Sequence, residues 1–254
     1  MDKLKTLLKG FVPKKWKILY KKEIRRKTTN DKKGKDSKQI FKEIHDQNFW
    51  SNSESVSGNG SDNKYLQHLK PELETLLKSL NIKTFADIPC GDFNWMQHVD
   101  LSEIEYLGGD IVQALVDKNN SLYPSENINF KLLDITSSKL PQVDLILCRD
   151  CLVHLSFKEI FNAITNIKKS KSTYLLTTSF INHDPNIDIE IGDWRPLNLV
   201  KAPFHFNKPK LVILEKSSVK HPNKALCLWE ISDISISKFS FQIKSNIFYR
   251  MLFN

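Results

Sequence analysis

"KTFADIPCGDFNW", residues 83–95, decides the fold. Its first half is a short apolar run that ends on Asp87, which reads as a buried strand. Pro89 and Gly91 then punctuate a turn, and residues 94–99 open a helical pattern. Strand, tight turn and helix start in this order are the entry unit of a parallel α/β sheet. A dinucleotide-binding turn would carry three glycines here. Only Gly91 remains, with Pro89 at the place of the first glycine and Phe93 at the place of the last.

The same alternation continues on both sides. Residues 63–80 carry Tyr65, Leu66, Leu69, Leu73, Leu76, Leu77 and Leu80 at helical spacing. Downstream, "EYLGGDI", "INFKLLDI", "VDLILC" and "TYLLTTSF" read as strands, with helices over 112–122 and 156–169. The pattern predicts a doubly wound, mostly parallel sheet of the Rossmann-like α/β class. "KLVILEK" and "KALCLWEI" are separated by about nine residues. That gap is short for a helical crossover, so the two strands are expected to pair antiparallel.

Ligands of open α/β sheets bind at the carboxyl ends of the strands. Four successive strands end there in an acid: Asp87, Asp110, Asp134 and, after Cys148 and Arg149, Asp150. Asp110 lies about 20 residues past the turn, where a carboxylate accepts both ribose hydroxyls. Asp134 suits the exocyclic amine of an adenine. Asp87, with the turn residues Pro89, Cys90, Gly91 and Asp92, suits an amino-acid end near a helix N-terminus. Ribose, adenine and an amino acid without phosphate describe S-adenosylmethionine. A ligand without pyrophosphate does not need the close backbone approach that glycines give, so Pro89 and Phe93 are tolerated.

On these residues the chain resembles the class I S-adenosylmethionine-dependent methyltransferases, over about residues 48–231. The usual acid-x-Gly-x-Gly-x-Gly motif stands here as Asp87-Ile-Pro-Cys-Gly-Asp-Phe93. The chain is closer still to a bacterial subgroup with four blocks in order: Glu54 to Ser61 ("ESVSGNGS"), Pro89 to Met96 ("PCGDFNWM"), Leu147 to Leu155 ("LCRDCLVHL") and Gly192 to Leu199 ("GDWRPLNL"). The resemblance implies a seven-stranded sheet with one antiparallel strand near the C-terminus. It implies a cofactor site from Ser57, Gly58, the turn, Asp110 with Ile111, Asp134 with Ile135, and Cys148 with Arg149. It also implies an acceptor site after the fifth strand, from Trp194, Arg195 and Asn198 with Trp95. A base for a hydroxyl acceptor is expected at Asp150 or His154, whose i,i+4 spacing lets an Asp orient an imidazole; Asp193 is the next candidate. The expected reaction is O-methylation of a sugar or other small hydroxyl compound for a cell-surface polysaccharide. The alternatives are an RNA or protein methyltransferase, a protein that binds the cofactor without catalysis, and a nicotinamide dehydrogenase. The lost glycines argue against the last.

Each feature also has a plainer reading. The acids can be caps and turn residues. Arg149 can be a structural ion pair, His154 a core histidine, "GDWRPLNL" a packed lid and "ESVSGNGS" a flexible linker. Cys148 and Cys151 have Cys-x-x-Cys spacing. No second pair stands at metal spacing, so no metal site is expected and the two read as small buried residues.

Charge is unevenly placed along the 254 residues, whose formal net charge is +9. Residues 1–50 hold 16 Lys and Arg against 6 Asp and Glu, and the remainder is nearly balanced. The basic character belongs to an arm and not to the body, which argues against a nucleic-acid partner. Residues 1–38 read as arm and linker and 39–254 as the methyltransferase domain. Within 1–28, Leu4, Leu7, Leu8 and Phe11, then Trp16, Leu19 and Tyr20, share helical faces among lysines. Such a segment suits an anionic membrane surface or is a solvated tail. No export signal or membrane span is read and the four cysteines form no framework, so the expected place is the cytoplasm, at most peripheral to the inner membrane face.

Overall fold

The computed structural model describes residues 32, 34–49, 67–215 and 221–235. The arm at 1–28, the loop with Ser57 and Gly58, the start of the helix expected from residue 63, and the tail beyond 235 lie outside them.

Helix α1 (Ser37–Asp46) opens with a capping box: the Asp36 side chain accepts from the Gln39 amide, and the Gln39 side chain accepts from the Asp36 amide. Ile40 and Ile44, one turn apart, form its buried face. Helix α2 (Leu69–Ser79) buries Leu69, Leu73, Leu76 and Leu77. The sheet elements follow: β1 (Thr84–Asp87), β2 (Glu105–Asp110), α3 (Gln113–Leu122), β3 (Ile128–Leu132), β4 (Leu145–Cys148), α4 (Phe157–Lys169), β5 (Tyr174–Phe180), β6 (Leu211–Leu214) and β7 (Lys224–Glu230). The helix expected from 94 is only a 3-10 turn, Met96–His98, and a second such turn spans Leu152–His154.

The seven strands run β3-β2-β1-β4-β5-β7-β6. β1 to β5 pair parallel, and β7 pairs antiparallel with both β5 and β6. One strand is therefore reversed. Side chains of β4 alternate between two cores: Ile146 and Cys148 join the α4 layer, Leu145 and Leu147 the α2 layer. Burial on both faces explains why β4 is an unbroken apolar run.

Two features of this topology set up the site. Strand order reverses between β1 and β4, which opens a crevice at their carboxyl ends, beside Asp87 and Arg149. The reversed β7 begins where β5 ends, with Lys224 opposite Phe180, so Lys224 is delivered to that same rim. Glu215, at the end of β6, joins it there by donating its amide to the Lys224 carbonyl.

Candidate active site at the carboxyl rim

The turn after β1 is built around buried acids. Asp87 is 2% exposed and accepts from the Tyr106 hydroxyl at 2.9 Å. Asp110 closes the other side: one oxygen accepts from the Gly91 amide (3.0 Å) and the other from Val112 (2.9 Å). Burial pushes the Asp87 carboxyl up to about 7 and that of Asp110 up to about 6. Asn119 of α3 donates to the Gly91 carbonyl at 2.8 Å and holds the turn from below. Phe93 adopts φ 58°, the left-handed conformation that a glycine takes at no cost. Its ring is anchored against Tyr106, Tyr123 and Phe130 at centroid distances of 5.3, 4.9 and 5.1 Å.

Four charges lock the next part of the rim. Arg149 donates two bonds to Glu215, 3.2 Å from Nε and 2.7 Å from Nη2. Lys224 reaches Asp150 at 2.5 Å and Glu215 at 3.0 Å. Glu215 is completely buried, and the Arg149 guanidinium lies 5.4 Å from the centre of the Trp95 ring. Two cations and two anions cancel, which is how such a group tolerates removal from water. Asp150 stands at φ 52°, its amide donating to Thr178 Oγ1 at 2.9 Å. Although burial opposes it, Lys224 and then Arg149 hold the Asp150 carboxyl far below the ordinary range.

His154 ends the 3-10 turn after β4. Its Nδ1 faces the Asp193 carbonyl at 2.9 Å. A carbonyl only accepts, so Nδ1 carries the hydrogen and Nε2 is the basic nitrogen. Burial lowers the imidazole's affinity for a proton, so it is neutral near pH 7. The segment bearing Asp193 folds back over this turn: Gly192 donates its amide to the His154 carbonyl (2.8 Å) and Arg195 to the Val153 carbonyl (3.2 Å). Beside it Trp194, 45% exposed, packs on His221 and on Phe180, 4.9 and 5.9 Å between ring centroids.

On the β3 side, α1 approaches the rim. Asp36, Ser37 and Lys38 line a cleft of about 430 Å³ together with Ile111, Leu132, Asp134, Ser137 and Ser138. That volume is within the roughly 300–1,000 Å³ range of small-molecule sites.

No family model and no curated protein matches the sequence. Solved structures do match. Magnesium protoporphyrin IX methyltransferase from Synechocystis PCC 6803, with bound SAM, superimposes with a TM-score of 0.54 at 12% identity, over 78% of this chain and 98% of that one. Human N-acetylserotonin methyltransferase in complex with SAM gives 0.50 at 12% identity, over 77% of this chain and 59% of that one. This chain has the methyltransferase fold. At these identities the likeness is one of fold.

Within this fold, several residues expected at the site are held by partners in the chain itself. The Arg195 guanidinium donates to the carbonyls of Leu152 (2.9 Å), Leu155 (2.7 Å) and Ile187 (3.2 Å), and so ties the lid to the turn after β4. The Asn198 side chain donates to the His183 carbonyl and accepts from the Val200 amide. Trp95 is buried, with the Arg149 guanidinium over its ring. Asp150, an expected base, is ion-paired with Lys224 (2.5 Å) and Arg149 (3.5 Å). The His154 Nδ1–H is held by the Asp193 carbonyl. Arg149, expected at the cofactor, is paired with Glu215 at 2.7 Å.

Cys90, Cys148 and Ile135 are buried packing residues near the turn and rim. Asp92 is buried in the turn and accepts from the Asn94 amide at 3.4 Å. Asp134 accepts from the Thr136 amide and hydroxyl and from the Ser137 hydroxyl, so it shapes its own loop while lining the cleft with Ile111. Among the described residues no group of His, Cys, Asp and Glu could hold a metal ion, and no helix is long and apolar enough to cross a membrane. The expected residues missed Tyr106, Asn119, Glu215 and Lys224. A signal existed for Asn119, a polar residue at the inward helical position that follows Leu115 and Val116.

Proposed function

We propose that the protein is an S-adenosylmethionine-dependent methyltransferase that methylates a hydroxyl of a sugar or another small, uncharged ring compound. The observation that carries this reading is the pair of buried carboxylates, Asp87 and Asp110, on either side of the Gly91 turn. A pyrophosphate beside two buried acids would be repelled, whereas an ammonium and ribose hydroxyls are attracted. An ionised carboxylate has about four lone-pair sites, and each Asp110 oxygen, one bonded to the Gly91 amide and the other to Val112, has capacity left for a ribose hydroxyl. Asp87 suits the ammonium of the amino-acid end, and the cleft between Asp134 and α1 suits the adenine.

When bound, the cofactor supplies a methyl group on a sulfonium for in-line displacement. The chain's part is alignment, exclusion of water and removal of one proton. His154 is placed for the proton: neutral, with Nδ1–H held by a carbonyl and Nε2 basic. The half-exposed Trp194 offers a stacking face for a ring. The neighbouring charges cancel, which favours a neutral acceptor over a phosphate-rich one. That reading, with a basic arm suited to anionic lipid, supports a role in cell-surface polysaccharide synthesis at the inner membrane face.

The test is transfer of labelled methyl from S-adenosylmethionine to a panel of sugar nucleotides, glycans and RNA. His154→Ala is expected to slow turnover by roughly 10² to 10⁴ while leaving binding of the donor nearly unchanged. Label on RNA alone, or full turnover in His154→Ala, contradicts the proposal.

A further inference from the structure

The segment before α1 is tied to the base at a distance of more than a hundred residues in sequence. Lys32 pairs with the Asp193 carboxylate at 2.8 Å, and the two side chains are only 15% and 26% exposed. Lys32 is itself fixed relative to α1: its carbonyl accepts from the Lys35 amide at 3.1 Å across a turn with Gly34 at φ 83°. Lys35 then pairs with Glu43 on the helix at 2.7 Å. The same helix holds the lid a second time. A Cβ at Gly192 would lie 2.8 Å from Ile44 Cδ1 and 2.9 Å from Ile40 Cγ2, so the lid backbone sits directly on the apolar face of α1.

These contacts converge on one imidazole. Gly192 and Asp193 hold His154 at both ends, the amide of one on its carbonyl and the carbonyl of the other on its Nδ1–H. Asp193 thus bonds Lys32 through its side chain and His154 through its backbone.

We propose that Lys32 is a positioning residue for His154: by anchoring Asp193 it keeps the lid carbonyl on Nδ1, and so keeps Nε2 the basic nitrogen of the ring. The proposal rests on His154 being the base. It gives α1 a role in both halves of the site, since the start of the helix also walls the cleft beside Asp134. The lid and the helix then act as one part, and the base is fully oriented only while the helix is seated.

The test reads the imidazole directly and needs no acceptor. The full chain is labelled with ¹⁵N at its histidines, and His154 is assigned by its loss in His154→Gln. Long-range proton–nitrogen spectra at neutral pH are expected to show the Nδ1–H tautomer in the wild type. In Lys32→Met and in Asp193→Asn, which keeps the size and the carbonyl, the Nε2–H fraction is expected to rise roughly three- to ten-fold, the factor that one lost hydrogen bond commands. Lys32→Arg is expected to restore the wild-type spectrum, since the guanidinium also reaches the carboxylate. Calorimetry with S-adenosylhomocysteine should give affinities within about two-fold of wild type for all three. An unchanged tautomer in both charge-removing variants overturns the proposal, as does a loss of cofactor affinity that parallels the spectral change. Absence of cofactor binding by the wild type would overturn the methyltransferase reading instead, and the tautomer spectra would still report on the clamp.

Discussion

Asp87 and Asp110 carry the strongest residue-scale consequence. Burial raises their carboxyls to about 7 and about 6, against an ordinary 3.8. A carboxyl raised in the folded state holds its proton more tightly there than in the unfolded chain. Their stabilising contribution is therefore complete below about pH 4 and is lost as the pH climbs through 6 and 7. Without ligand, the melting temperature is expected to fall between pH 5 and 7.5, and Asp87→Asn should flatten that slope. An identical slope in the variant would contradict the assignment. The acids and their strand ends were legible in the sequence. Their partners were not, because Tyr106, Glu215 and Lys224 are met only after folding: Arg149 lies 66 residues from Glu215, and Asp150 lies 74 from Lys224. The backbone carbonyls bonded by Arg195 and Asn198 were not legible either. The donors that suit a sugar also suit backbone carbonyls, and a buried loop needs them for itself.

At the scale of elements, periodicity identified all seven strands and the helices α2, α3 and α4, since apolar spacing follows burial directly. It failed at the turn after β4. Asp150 and His154 are four residues apart, but Asp150 is left-handed at φ 52° and does not continue a helix, so no shared face forms. Two substitutions test the packing of elements. Gly192→Ala sets a methyl against Ile40 and Ile44 at a backbone φ of 81°, and is expected to destabilise the chain by about 1–3 kcal/mol in chemical denaturation. Phe93→Gly relieves a left-handed residue but empties an aromatic seat. The cavity outweighs the strain, so a net loss of about 2–4 kcal/mol is expected, and a gain in stability would show that the ring is no anchor.

At the scale of the molecule, strand order and one reversed strand place every proposed function on one rim. The reversal between β1 and β4 opens the crevice, the antiparallel β7 returns Lys224 to it, and the lid after β5 closes over His154. The central claim is that this crevice binds S-adenosylmethionine through Asp87 and Asp110. Isothermal calorimetry with S-adenosylhomocysteine at pH 7, in two buffers of different ionisation enthalpy, tests it most directly. Binding is expected, with net proton release as the ligand ammonium ionises Asp87. Asp110→Ala should lose about 2–3 kcal/mol, roughly 30- to 150-fold in affinity. No heat of binding in the wild type, or equal affinity in the variant, would contradict the account.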